Sequence, residues 1–240
     1  ADLLVLLAAF GGECVDEAAP PFDPCFDEIP FDCGSSLSYR GYEYPTVLID
    51  SVCWFQENLR APSFSNGQPL LIAEGEETWG QAEGPVACNS MWDDALLETY
   101  GLLYNIDAVT DSRGLCPWGW HIGTDADWMA SEAHLGMQES EVVAIGSRGE
   151  GENIASLFKS NSVLWSFAGG GNNLSGFTAL PAGRVDQSNN NHSEGGSAWF
   201  WAPSGTSDGL SIRAIYGANG GVFRDFSNAS QGLSVRCVKD

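Results

Sequence analysis

The sequence predicts an α+β domain dominated by irregular loops and braced by disulfides. Three observations lead there. Short strand-like runs are separated by turns drawn from 29 glycines. Only brief segments carry helix-start signals, and none is long. Seven cysteines are scattered at 14, 25, 33, 53, 88, 116 and 237 with no Cys-x-x-Cys spacing, which fits disulfides in an oxidising compartment better than a zinc site. With nine tryptophans and 43% hydrophobic residues, the 240-residue chain can bury a sizeable core.

Residues 1–14 (ADLLVLLAAFGGEC) form an apolar, helix-like docking or assembly segment. It is far shorter than the roughly 20 residues that cross a bilayer, so no membrane insertion is expected. Leu3, Leu4, Leu6, Leu7 and Phe10 need cover, either from the segment's own domain or from a neighbouring copy or another surface protein. Residues 15–38 read as an acidic, proline-rich linker, with Cys25 and Cys33 close enough in sequence to pair. From residue 39 strands begin: Arg40–Asp50 and Val52–Leu59 form a hairpin with Asp50-Ser51 as its turn. Cys53, in this apolar run, is the candidate free thiol. Residues 60–99 are less patterned, with Asn66-Gly67 as a turn, Trp79 and Trp92 as anchors and a short helix over Ala95–Tyr100.

The stretch Leu115–Trp128 crowds Cys116, Trp118, Trp120 and Trp128 into a core staple. Thr124 and Asp127 mark a capping-box-like start to a helix that runs to Leu135 and ends at Gly136. A second helix is expected over Glu152–Lys159. Ala198–Ala202, Leu210–Tyr216, Gly221–Phe226 and Leu233–Val238 read as strands, after a polar loop over Asp186–Gly196.

Ten Lys+Arg against 32 Asp+Glu give a net charge of −22. Such a field repels phosphate backbones and excludes nucleic acid as a partner. Calcium is the cation that surplus carboxylates suit, but no twelve-residue loop of Asp-x-Asp-x-Asp-Gly spacing occurs.

Several blocks together resemble the Fibrobacter succinogenes major paralogous domain, found in secreted or surface proteins of Bacteroidetes and Fibrobacteres. They are Tyr44–Asp50 (YPTVLID) with Trp54–Leu59 (WFQENL), Tyr100–Tyr104 (YGLLY), Cys116–His121 (CPWGWH) with Asp127-Trp128, Gly176–Gly183 (GFTALPAG), and Leu233–Asp240 (LSVRCVKD). They span residues 39–240. The resemblance implies a C-type-lectin-like α+β fold with small antiparallel sheets, two short helices, long loops and chain ends brought together. It also implies a bond between Cys116 and Cys237. Residues 1–14 are similar to the end of a dockerin-type repeat, but the calcium loop of that repeat is absent and its metal binding is not carried over.

No catalytic constellation is visible. His121, His134 and His192 lack metal-ligand spacing, and His121 reads as a hydrogen-bonded core histidine. There is no Gly-x-Ser-x-Gly elbow, and the triple glycine at 169–171 lacks the Lys-Ser/Thr of a phosphate loop. Asp125 and Asp127 sit at a helix start and complement its dipole. Formylglycine-forming enzymes use a cysteine pair near the C-terminal end, where this chain has only Cys237. The Glu-Pro-Asn, Gln-Pro-Asp and Trp-Asn-Asp motifs of calcium-dependent lectins do not occur.

The expectation is a non-enzymatic extracellular structural or adhesive protein, a filament or surface-layer subunit, that self-assembles or docks through residues 1–14. The alternative is a carbohydrate-binding module in which Asn189, Asn190, Asn191, Glu194 and Trp199 offer amides and an aromatic face to a glycan. Trp199 and Trp201, two apart, equally suit one core-facing side of a strand. Asp50–Val52 resembles the O-glycosylation acceptor pattern of Bacteroidetes, which nominates Ser51.

Overall fold

The structure is a computed structural model and describes residues 31–166, 170–186, 188–204, 209–227 and 231–240. Phe31–Asp240 is one compact unit. Leu3, Leu4, Leu6, Leu7, Phe10 and Cys25 lie outside the described residues. The strands are β1 (Ser36–Tyr39), β2 (Tyr42–Ile49), β3 (Val52–Phe55), β4 (Leu71–Ala73), β5 (Val86–Asn89), β6 (Leu102–Tyr104), β7 (Trp120–Ile122), β8 (Gly146–Arg148), β9 (Ala182–Val185), β10 (Asn191–Glu194), β11 (Ser197–Trp201), β12 (Leu210–Tyr216), β13 (Val222–Ser227), β14 (Leu233–Ser234) and β15 (Cys237–Lys239).

These build two sheets. One has the order β1-β2-β3-β15-β7, and the other runs β4-β5-β6-β14-β11-β12-β13-β8 with β9 and β10 attached beside β11. The chain passes from the second sheet to the first between β14 and β15, so the last strand enters the sheet that the first strands start. Arg236, buried in that crossover, donates to Asn58 Oδ1 at 2.7 Å and to the carbonyls of Phe55 and Phe177 at 2.9 and 2.6 Å.

Sheet outweighs the loops that the sequence led us to expect, and the larger sheet is mixed, with parallel pairs β4–β5, β11–β14 and β11–β9. The reason is burial. All four residues of β5 are buried, and a strand covered on both faces shows no period-2 pattern; β11, which the sequence marks as a strand, is buried along all five residues. Trp199 and Trp201 on one side of β11 join a cluster with Tyr104 and Leu233. Ala198 and Phe200 on the other join Trp54, Trp128 and Phe177.

Local signals are realised closely. Asp50 takes φ 57° in the turn between β2 and β3. The helix Asp125–His134 begins with a full capping box between Thr124 and Asp127, and Gly136 follows with φ 102°. The second expected helix shortens to Ile154–Phe158, and that over 95–100 to Leu97–Tyr100 after a 3₁₀ turn. Gly123, between β7 and the helix Asp125–His134, has a physical cause: a Cβ there would lie 2.3 Å from Trp54 Cζ3.

Four expectations are corrected. Cys33 is bonded to Cys53, not to Cys25. Thr46 Oγ1 accepts from Gly34 N and donates to Ser35 O, which ties this segment to β2 beside Cys53. Residues 31–38, read as linker, therefore belong to the folded unit, and Phe31 packs edge-on to Trp120 with centroids 5.3 Å apart. The free thiol among the described residues is Cys88, fully buried on β5, rather than Cys53. Trp118 does not staple the core: it is 56% exposed, because the turn closed by Trp120 N to Pro117 O turns it outward. Cys116 is bonded to Cys237, the pair that the resemblance implies.

Across its inner face the helix Asp125–His134 carries Asp125, Trp128 and Glu132, spaced for one stripe. Glu132 accepts from Arg148 on β8 at 2.8 and 2.9 Å and from Arg213 Nε on β12 at 2.8 Å. Asp125 accepts from Arg213 at 2.7 Å and from Arg224 on β13 at 2.6 and 2.9 Å. Burial pushes the Asp125 carboxyl up, but bonds from Arg224, Ser211 and Arg213 hold it well below its usual range. Removing one member of such a buried network leaves unpaired charge at a cost of about 3–5 kcal/mol. Glu132→Ala is therefore expected to lose that much in urea unfolding, and an unchanged midpoint contradicts the role. Burial likewise raises the Cys88 thiol, so iodoacetamide is expected to modify it only after unfolding; rapid labelling of the native protein contradicts its burial.

Candidate functional site

Two clefts on the described surface bring side chains from several strands together. The first, about 310 Å³, is lined by residues that include Arg184, Trp199, Tyr216, Phe223, Asp225 and Gln231. Strand pairing builds it: β9 lies beside β11 through Ala198–Gly183, and β12 and β13 follow in order. Trp199, Ala214 and Phe223 are cross-strand neighbours on one face. Trp199 meets Tyr216 edge-on at 5.7 Å and Phe223 at 6.5 Å. Trp199 Nε1 is spent on Ser197 Oγ at 2.9 Å, so its ring contributes an apolar floor.

Arg184 stacks its guanidinium over the Trp199 ring at 4.0 Å. Its guanidinium makes no hydrogen bond or ion pair to any described residue, and its Nε is buried without a partner among them. The seven other arginines each donate to a carboxylate, a side-chain amide or a carbonyl, as Arg60 and Arg113 do to Glu57 and Asp111. Gln231, only 5% exposed, has Oε1 without a partner among the described residues. Leaving a buried acceptor unpaired costs about 1–3 kcal/mol, which a ligand hydroxyl would recover.

The candidate residues from the sequence separate. Trp199 lines this cleft as its floor. Asn190 is spent on Asp186, to which its backbone N donates at 3.0 Å. Asn191 is buried and donates to Asn89 O at 2.8 Å. Glu194 is exposed but accepts from Tyr100 OH at 2.8 Å. Asn189, at φ 64°, lies against Gly80, where a Cβ would meet its Nδ2 at 2.6 Å. The four polar candidates thus build the β9–β10 turn and its supports, and none lines the cleft. Arg184 and Gln231 escaped notice because their neighbours come from distant strands. An arginine in an otherwise small and apolar strand (Ala182–Val185, AGRV) of a cation-poor chain was the available signal.

The second cleft, about 500 Å³, is lined by residues that include Arg113, Trp118, His121, Pro203 and Asp240. Its charged groups are engaged: Arg113 pairs with Asp111 at 2.6 Å, and His121 bonds Asp127 at 3.0 Å and Asp240 at 2.6 Å. His121 is thus a bonded histidine at a surface rather than in the core, with a side chain 37% exposed. Among the described residues no group of three or more His, Cys, Asp or Glu is placed to hold a metal ion. Ser51 is exposed at the tip of the β2–β3 hairpin, where its Oγ reaches Asp50 at 3.2 Å.

His121 gives a pH signature. The Asp127 bond, aided by Asp240 and opposed by burial, raises the pKa of His121 above 6.5. For Asp127, burial pushes upward, but bonds from His121 and Thr124 hold it below 3.8. A raised histidine adds stability that is full below its unfolded pKa and lost as pH rises through the folded value; a lowered carboxylate adds stability lost as pH falls through its own. The pair is therefore expected to stabilise most between about pH 4.5 and 6. The stability gap between the native protein and His121→Asn should shrink as pH rises past the folded His121 pKa. A gap that is flat from pH 5 to 9, or an NMR titration of His121 centred at or below 6.5, contradicts this.

Among the described residues no helix is long and apolar enough to cross a membrane. No curated protein and no solved structure matches the chain. The Fibrobacter succinogenes major domain matches residues 47–239, from the middle of β2 through the last residue of β15. The disulfide-braced two-sheet unit with its aromatic cleft is thus an instance of that domain, and the chain belongs to the Fibrobacter succinogenes major domain family.

Proposed function

We propose that this chain is a non-enzymatic extracellular adhesive protein whose folded domain grips a glycan in the Arg184–Trp199 cleft. The observation that carries it is the pairing of an aromatic floor with polar groups that have no described partner, Arg184 and the Oε1 of Gln231. Aromatic surfaces bury the apolar faces of sugars, and fixed polar groups bond their hydroxyls. Several acids and histidines among the described residues are engaged in structure, as in Asp125 with Arg224 and Asp127 with His121. The bonds Cys33–Cys53 and Cys116–Cys237 favour an oxidising, extracellular setting. A C-type-lectin-like fold is supported by the last strand entering the sheet of the first and by the Cys116–Cys237 bridge.

Assembly or docking is the second part of the proposal, and the apolar run of Leu3, Leu4, Leu6, Leu7 and Phe10 supports it. A homo-oligomer or a docked surface protein then presents several clefts together, and weak sites gain avidity.

On a glycan array, with and without calcium, the protein is expected to bind at least one glycan class. Arg184→Ala is expected to weaken that binding at least tenfold, and Trp118→Ala in the other cleft to leave it unchanged. No binding to any glycan overturns the proposal. Deleting residues 1–14 is expected to lower the mass of the assembly in size-exclusion chromatography with light scattering; an unchanged mass removes the assembly part alone.

A further inference from the structure

The glycan reading leaves the sugar's chemistry open, and the charges in the cleft narrow it. A guanidinium presents planar N–H donors that match a carboxylate in a two-pronged bond, a geometry that neutral hydroxyls do not reproduce. Stacking on Trp199 at 4.0 Å uses the face of the Arg184 group and leaves its in-plane N–H groups for a partner. No described residue supplies that partner to the Nε of Arg184. The one carboxylate lining the cleft, Asp225, forms no ion pair with Arg184, and its Oδ1 accepts from Phe226 N at 2.9 Å.

Resting on the glycan reading, we propose that the cleft binds an acidic sugar, a uronic acid, whose carboxylate pairs with Arg184. The remaining groups fit the rest of such a ring. Gln231 Oε1, buried and without a partner, accepts from a ring hydroxyl, and so does the free oxygen of Asp225. Phe223 and Tyr216, both half-buried at the cleft, face the apolar side of the ring. At about 310 Å³ the cleft stands at the lower end of the ~300–1,000 Å³ typical of ligand sites, which suits one or two sugar rings. A neutral sugar would satisfy Gln231 and Asp225 but leave Arg184 without a counter-charge.

The test compares short oligomers of galacturonic acid with the same oligomers fully methyl-esterified and with neutral cello-oligomers, by calorimetric titration of the full chain at about 0.15 M salt, which screens the repulsion of its −22 charge beyond roughly 8 Å. Esterification removes the charge and keeps the ring. The free acid is expected to bind at least tenfold more tightly than the ester. Arg184→Gln is expected to abolish that preference with an unchanged circular dichroism spectrum and melting temperature, and Gln231→Leu to weaken acid and ester alike. Equal binding of acid and ester, or a preference for neutral oligomers that depends on Arg184, overturns the acidic-sugar inference while the glycan reading stands. Failure of all three, together with an array on which no glycan binds, overturns both.

Discussion

The fold depends on a layer of buried charge between one helix and one sheet. Asp125 and Glu132, both at the inner face of the helix Asp125–His134, meet Arg148, Arg213 and Arg224 from three adjacent strands. Removing these groups from water is costly, and the cost is offset only when each oxygen finds a donor in a fixed place. The layer therefore permits one seating of the helix. Trp128, on the same stripe, then enters the aromatic cluster of Trp54, Phe158, Phe177 and Phe200, and Trp54 Nε1 reaches Ser131 Oγ at 3.0 Å. That seating covers one face of β11–β13. The opposite face carries Trp199 and Phe223, and so the cleft.

What could be read in the sequence was local. The capping box at Thr124, the hairpin turn at Asp50-Ser51 and Gly136 after the helix Asp125–His134 are set by neighbours a few residues apart. The partners of Asp125 lie 86 to 99 residues away, so its position at a helix start suggested a dipole role instead. The same distance problem hid the Cys33–Cys53 bond and the arginine of β9. Burial of all four residues removed the alternation that would have marked β5 as a strand. Polar residues such as Asn190 and Glu194 looked available because the sequence does not show that Asp186 and Tyr100 already hold them.

Charge is distributed with economy in this acidic chain. Of its ten cations, five are consumed inside: the three arginines of the helix layer, Arg236 among carbonyls, and Lys159 against Gly217 O at 3.0 Å. Arg184 alone of the arginines is held by an aromatic ring and by no acceptor among the described residues. A cation kept in that state, beside a buried amide oxygen with no donor, is the feature of this domain that points outside the molecule.

The most direct test of that claim is an NMR titration that follows arginine Nε–H, glutamine side-chain amide and tryptophan indole signals while galacturonic-acid oligomers are added. The account predicts saturable shifts at Arg184 and Gln231, smaller ones at Trp199, and none at Trp118. Shifts confined to Trp118 and His121, or a complete absence of shifts at Arg184 while sugar binds, would contradict it.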